Sequence, residues 1–158
     1  MLLNITVNNK KIKMLVEPDE YLIDTLRKAG YLSVKRGCDT GTCGLCTVFV
    51  EGKPVLSCST LSLRVNNKKI ETLEGHQEIA KRFAVFMGLE GADQCGFCAP
   101  GFTMTVIGLK NEFLSNGRVP TDEEILHYLN GTLCRCTGYA SQLRAIKNFL
   151  EAEKNENS

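Results

Sequence analysis

The stretch 37-GCDTGTCGLC-46 places three cysteines and three glycines in ten positions. Cys38, Cys43 and Cys46 stand in a Cys-x4-Cys-x2-Cys pattern, and Cys58 follows one strand-turn-strand later. Such crowding is unlike the scattered, inert thiols of an ordinary core. Gly37, Gly41 and Gly44 leave a backbone that can wrap a bound group closely and point its N–H groups inward. The loop therefore reads as the holder of an inorganic group rich in thiolate ligands.

The rest of the chain repeats the theme. It has 158 residues and eight cysteines. The second four are Cys95 and Cys98 in "QCGFCAPG", and Cys134 and Cys136 in "LCRCTGY". The opening "MLLNITVNNKKIKM" reads as a strand rather than an export signal. No apolar run approaches a membrane span. A cytoplasmic protein is expected, and a reducing cytoplasm disfavours disulfides. Two groups of four thiols then point to two metal centres. Hydrophobic residues make up 43% and charged residues 23%, which is globular rather than disordered. The net charge of +1 offers no basic surplus for nucleic acid.

Hydrophobic periodicity divides the chain into two parts. "LLNITV" and "KKIKMLV" alternate about an Asn8–Asn9 pair, which reads as a hairpin. "YLIDTLRKAG" has helical spacing and a stop at Gly30. "TVFVEGKPVLSC" reads as strand, turn and strand, with Gly52 and Pro54 in the turn, and "RVNNKKIETL" adds a further short strand. From Gln77 onward the patterns are helical. Ile79, Phe83 and Phe86 share one face; Phe102, Val106, Leu109 and Phe113 share another. "TDEEILHYL" opens with a capping box of Thr121 and Glu124, and a last helix carries Leu143, Ile146, Phe149 and Leu150. The expected architecture is α+β: an N-terminal strand-rich domain over 1–73, a linker near "LEGH", and a helical bundle over 77–153. Parts of only ~80 residues have thin cores and commonly rely on a metal staple.

The first cysteine group has the spacing of plant-type [2Fe–2S] ligands. Structural zinc sites prefer two separated short knuckles, which suits this loop less well. The second group, a Cys-x2-Cys pair and a Cys-x-Cys pair with 35 residues between Cys98 and Cys134, fits zinc or an iron–sulfur cluster. Both of its pairs lie near expected helix N-termini, where the dipole favours an anionic centre of either kind. Lys35 and Arg36 read as solvated cations beside the first loop. His76 and His127 are solitary and read as surface or boundary residues; no catalytic constellation stands out.

Together, "GCDTGTCGLCTVFVEGKPVLSC", "QCGFCAPGF" and "GTLCRCTGYA" closely resemble the iron–sulfur subunit of the xanthine dehydrogenase-type molybdenum hydroxylases, over nearly the whole chain. This resemblance implies a β-grasp plant-type ferredoxin domain with one [2Fe–2S] cluster on Cys38, Cys43, Cys46 and Cys58. It implies a four-helix domain with a second cluster on Cys95, Cys98, Cys134 and Cys136. The helical cluster would face a molybdopterin centre on a large subunit, with Gln94 touching the pterin; the ferredoxin cluster would face FAD. The implied protein is the electron-transfer subunit of a hetero-oligomeric oxidoreductase with no substrate-converting site of its own. Xanthine or a related purine is the first expected substrate. Carbon monoxide, nicotinate, aldehyde and aromatic acyl-CoA enzymes use similar subunits, and a free-standing ferredoxin-like carrier is the other alternative. Eukaryotic members carry flavin and molybdenum domains on the same polypeptide, so partner subunits are expected here. The stretch between the second cluster's pairs is a few residues longer than the family pattern, and "LSNGRVP", 114–120, is expected to absorb the excess. Phe97 and Tyr139 are candidates for the docking face.

Overall fold

The computed structural model describes residues 1–156. The chain begins with β1 (Leu2–Val7) and β2 (Lys10–Leu15), an antiparallel pair in which Val7 faces Lys10. Asn8 and Asn9 both take positive φ, +47° and +67°. That mirror-image turn matches strand twist, and asparagine tolerates it. Leu3, Ile5 and Val7 point inward while their neighbours are partly exposed, as a one-sided strand requires.

Helix α1 (Leu22–Lys28) buries Leu22, Ile23 and Leu26, and Gly30, at φ +91°, takes the left-handed position just past its end. Strands β3 (Thr47–Val50) and β4 (Lys53–Leu56) form the second hairpin. Its turn is Glu51–Gly52, both at positive φ. Pro54, expected in that turn, instead lies within β4, opposite Phe49. β4 is an edge strand, where a missing N–H is tolerated. Strand β5 (Lys69–Glu71) runs parallel to β1 and antiparallel to β3. The sheet order is therefore β2-β1-β5-β3-β4, and with α1 across it this is a β-grasp.

Four helices follow: α2 (Gln77–Leu89), α3 (Ala99–Leu114), α4 (Asp122–Leu129) and α5 (Ala140–Glu156). Their core centres on Phe83, which meets Phe149 at 5.1 Å and Phe102 at 6.1 Å between ring centroids. The Glu153 carboxylate is buried between α2, α3 and α5, and it is paired with Arg82 and Lys110 at 2.8 Å each. α3 is buried without interruption from Gly101 to Leu109 because it has neighbours on two sides. One side meets the helical core. The other brings Met104 and Ile107 onto Phe49 of β3. All four residues of β3 are accordingly buried, so the bundle covers the sheet face that α1 leaves open.

The connection from α3 to α4 spans the stretch in which extra residues were expected. Arg118 anchors it, stacking 4.6 Å over Phe113 and pairing twice with Glu124 at 2.7 Å. Glu124 also accepts from the Thr121 N–H at 2.8 Å, and its own N–H donates to Thr121 Oγ1 at 3.3 Å, completing the capping box. The Arg118 bond and the Thr121 backbone bond hold the Glu124 carboxyl down at about 2, against an ordinary value of 4.5. Replacing Thr121 by Ala is expected to cost about 1 kcal/mol of helix stability, read as a lower unfolding midpoint. A depressed carboxyl stabilises above its unfolded pKa. The wild-type advantage over Glu124→Gln should therefore be complete above pH 4.5 and disappear as pH falls toward 2, in thermal melts at matched pH.

Candidate metal centres

The loop after α1 closes on itself. The Cys38 sulfur is met by backbone N–H groups of Thr40 and Thr42 and by Cys43, which together bring its thiol down to about 5. Donors from three residues facing one sulfur form a cradle for negative charge. Gly37 fits because a Cβ there would overlap Leu45 and lie 3.2 Å from the Cys43 sulfur. Burial raises the Cys43 thiol. Burial, aided by the Cys46 side chain, pushes Cys58 up to about 12. Cys58 sits on a short 3-10 turn, Ser57–Ser59, that is tied to the Cys46 carbonyl by Ser57 Oγ at 2.8 Å. The four thiols thus gather as two pairs, Cys38 with Cys43 and Cys46 with Cys58, and each pair feels the charge of the other.

A second gathering forms where two loops meet at the head of the bundle. Cys98 caps α3, with Pro100 in the first turn, and Cys134 and Cys136 precede α5. The pairs are Cys98 with Cys134 and Cys95 with Cys136. Burial pushes Cys98 up to about 12. Cys134 is also raised by burial, but the Thr137 hydroxyl and the N–H groups of Cys136 and Thr137 outweigh it and bring the thiol to about 7. Thr137 Oγ1 lies 3.3 Å from the Cys134 sulfur. Gln94 donates from Nε2 to the Cys136 carbonyl at 3.2 Å, bridging the two loops. Cys95 and Cys136 are exposed, so this site has an open edge, with Phe97 half exposed nearby in the sequence.

None of the eight cysteines is in a disulfide. No three His, Cys, Asp or Glu side chains among the described residues close on a single metal ion. Donors arranged as two pairs suit a cluster of two irons, two thiolates per iron, better than one tetrahedral zinc. Both sets therefore fit the [2Fe–2S] group in the type and grouping of their donors.

The two sites touch through backbone. The Leu133 N–H donates to the Cys43 carbonyl at 2.9 Å, and Leu133 is adjacent to Cys134. A Cβ on Gly44, whose φ is +70°, would overlap the Gly131 carbonyl. A Cβ on Gly101 would come within 2.6 Å of the Leu45 Cα. Only glycine permits either approach.

Other expected residues fall differently. Tyr139, a docking candidate by sequence, is half-buried: its hydroxyl accepts from the Cys134 N–H at 2.8 Å and donates to the Thr132 carbonyl at 3.1 Å. It clamps the Cys-x-Cys loop and takes φ +69° to do so. Arg36 is paired with Asp24 and Asp39, which offsets its charge beside the first loop. His76 lies at the boundary, its ring edge-on to Phe49 at 5.6 Å. Its Nε2 is 2.8 Å from Glu71 Oε2 but out of line for a hydrogen bond. Gln142 is a buried polar residue that the motifs do not single out. It precedes Ile146 by four and Phe149 by seven, which is a core position, and it is 1% exposed.

The comparisons agree with this architecture. Residues 5–80 match a family described as "2Fe-2S iron-sulfur cluster binding domain", and residues 69–147 match one described as "[2Fe-2S] binding domain". The nicotinate dehydrogenase small FeS subunit of Eubacterium barkeri is 39% identical over 152 residues, 94% of each chain. The xanthine dehydrogenase iron-sulfur-binding subunit of Escherichia coli O157:H7 is 38% identical over 151 residues, 94% of this chain and 92% of that one. The crystal structure of quinoline 2-oxidoreductase from Pseudomonas putida 86 superposes with a TM-score of 0.86 at 32% identity, covering 99% of this chain and 96% of that one. The fold and the two thiol sets define an electron-transfer subunit of an oxidoreductase with two [2Fe–2S]-binding domains. The chain belongs to the iron–sulfur small subunits of the xanthine dehydrogenase-type molybdenum hydroxylases. No helix among the described residues is long and apolar enough to cross a membrane.

In iron-free protein at pH 6.5, iodoacetamide should label Cys38 first and Cys58 and Cys98 last, read by peptide mass spectrometry. The preference for Cys38 should fade below about pH 5, as its thiolate takes up a proton. Replacing Gly44 by Ala forces both a backbone clash and a strained φ, so it should destabilise by about 2 kcal/mol and lower iron retention on gel filtration.

Proposed function

We propose that this chain is the one-electron relay of a multi-subunit hydroxylase that oxidises a nitrogen-containing aromatic ring, with xanthine or a related purine as substrate. Its partners are a molybdopterin-binding large subunit and an FAD-binding subunit, and it works in the cytoplasm. Cys38, Cys43, Cys46 and Cys58 hold one [2Fe–2S] cluster in a domain over 1–73, and Cys95, Cys98, Cys134 and Cys136 hold the other in a domain over 77–153. Clusters held there would supply one-electron chemistry between the molybdopterin side, nearer Cys95, Cys98, Cys134 and Cys136, and the flavin side, nearer Cys38, Cys43, Cys46 and Cys58.

The observation that carries this reading is the junction. Leu133 N–H donates to the Cys43 carbonyl, so a residue of one thiol set and the neighbour of a thiol in the other share a backbone hydrogen bond of 2.9 Å. Two cysteine sets placed independently would have no reason to meet through glycine-only contacts. The chain's own work is to fix that separation, exclude water around Cys43, Cys46 and Cys134, and supply N–H donors to the sulfurs. Gln94 lies on the exposed rim with Nε2 held by the Cys136 carbonyl, which leaves its carboxamide oxygen for the pterin. Phe97 and Leu133, 50% and 48% exposed, supply apolar surface for the large subunit. Such surface, with a net charge of +1, favours a bound subunit over a free carrier, which would use strong charge for transient docking. The nicotinate dehydrogenase relative supports a second reading in which the ring is nicotinate.

Anaerobically prepared complex should contain ~4 iron atoms per copy of this chain, from two diiron clusters. Cys43→Ser should halve that number and remove one of two electron paramagnetic resonance signals of the reduced protein. Loss of both signals, or wild-type iron well under that figure, would count against the assignment. Turnover of the isolated complex on xanthine and on nicotinate decides between the two rings.

A further inference from the structure

The wall of the second site holds a side chain without a partner. Gln142 stands in the first turn of α5 and is 1% exposed. Its Oε1 is buried with no hydrogen-bond partner, and it lines the small cavity formed by Cys95, Cys98, Cys134 and Cys136. Two nearby polar side chains are already engaged. Thr137 is taken by the Cys134 sulfur and the Tyr139 N–H, and Gln94 by the Cys136 carbonyl. The wall also carries the apolar side chains of Met87, Ala92 and Phe102, and the exposed Asp93. A leucine or methionine here would avoid the cost of an unpaired buried amide. The amide therefore calls for a partner inside the cavity. The group that the four thiols fit presents only sulfur acceptors, and rotation about the last side-chain bond exchanges the carboxamide's oxygen and NH2 ends.

We propose that Gln142 is a positioning and tuning residue of the helical site: its side-chain N–H donates to a sulfur of the [2Fe–2S] cluster held there. The proposal rests on the assignment of Cys95, Cys98, Cys134 and Cys136 to that cluster. A donor at sulfur stabilises the reduced, more negative form and so raises the reduction potential. Thr137 supplies one such donor from the loop, and Gln142 supplies a second from the helix. The two act from different elements, so the helical site keeps its donor set only while α5 is seated on the Cys-x-Cys loop.

The test uses the assembled complex with Gln142→Met, which keeps the length and removes the donor, and Gln142→Glu, which keeps the shape and places an acceptor at the sulfur. Potentials are read by titration monitored by paramagnetic resonance. Both variants should retain full iron and leave the ferredoxin signal in place. At a fixed potential, Gln142→Met should shift the reduced-to-oxidised ratio of the helical cluster about tenfold toward oxidised, a fall of about 59 mV for a one-electron couple. Gln142→Glu should shift it at least as far. An unchanged potential in an iron-replete Gln142→Met variant overturns the proposal. If neither variant assembles the helical site, the wild-type complex is examined with 15N in glutamine side chains. A nitrogen coupling to the reduced helical cluster is expected, and its absence overturns the proposal. A Cys136→Ser control separates the two levels of failure: if both signals survive it unaltered, the ligand assignment has failed rather than the role of Gln142.

Discussion

The contact of two glycine-bearing loops at one point governs the molecule. Gly44 lies against the Gly131 carbonyl, Gly101 against Leu45, and the Leu133 N–H meets the Cys43 carbonyl. No side chain intervenes, so the loops sit at backbone separation. Each loop alone would be mobile, being rich in glycine and poor in packed side chains. Held against each other, they form one body. The sheet and the bundle each bring one loop to that body, and the Phe49, Met104 and Ile107 cluster keeps sheet and bundle in register around it.

Electrostatics explains why the thiols differ within each set. In both, one sulfur is drawn toward the thiolate by N–H and hydroxyl donors: Cys38 to about 5 and Cys134 to about 7. In both, another is pushed to about 12 by burial and a neighbouring sulfur: Cys58 and Cys98. Anionic sulfur thus forms where backbone N–H groups point inward, and further charge is resisted until cations share it. Four thiolates gathered without cations would repel, which is the electrostatic reason such a set suits a metal group.

Much of this was legible in the sequence, because the signals were local. The Asn8–Asn9 turn, the Gly30 helix stop and the Thr121–Glu124 box each depend on neighbours a few residues away. Proline often marks a turn, which is what Pro54 suggests locally; its allowance in an edge strand depends on which strand pairs beyond it, a non-local fact. Tyr139 reads as a docking candidate or a packed aromatic by sequence, and only the closed loop turns its hydroxyl onto Cys134 and Thr132. Gln142 did leave a trace, as a polar residue on an apolar stripe, but what it faces depends on a cavity assembled from distant segments.

By itself, the sequence determined the eight thiols, their spacing, the class of group they suit and the order of secondary elements, since periodicity and ligand chemistry operate along the chain. Tertiary structure alone decided that the two thiol sets meet, that Leu133 bonds to Cys43, and that an unpaired carboxamide closes the second site. Those outcomes require segments about ninety residues apart in sequence to share a few ångströms of space, and the packing of α3 on β3 brings them together.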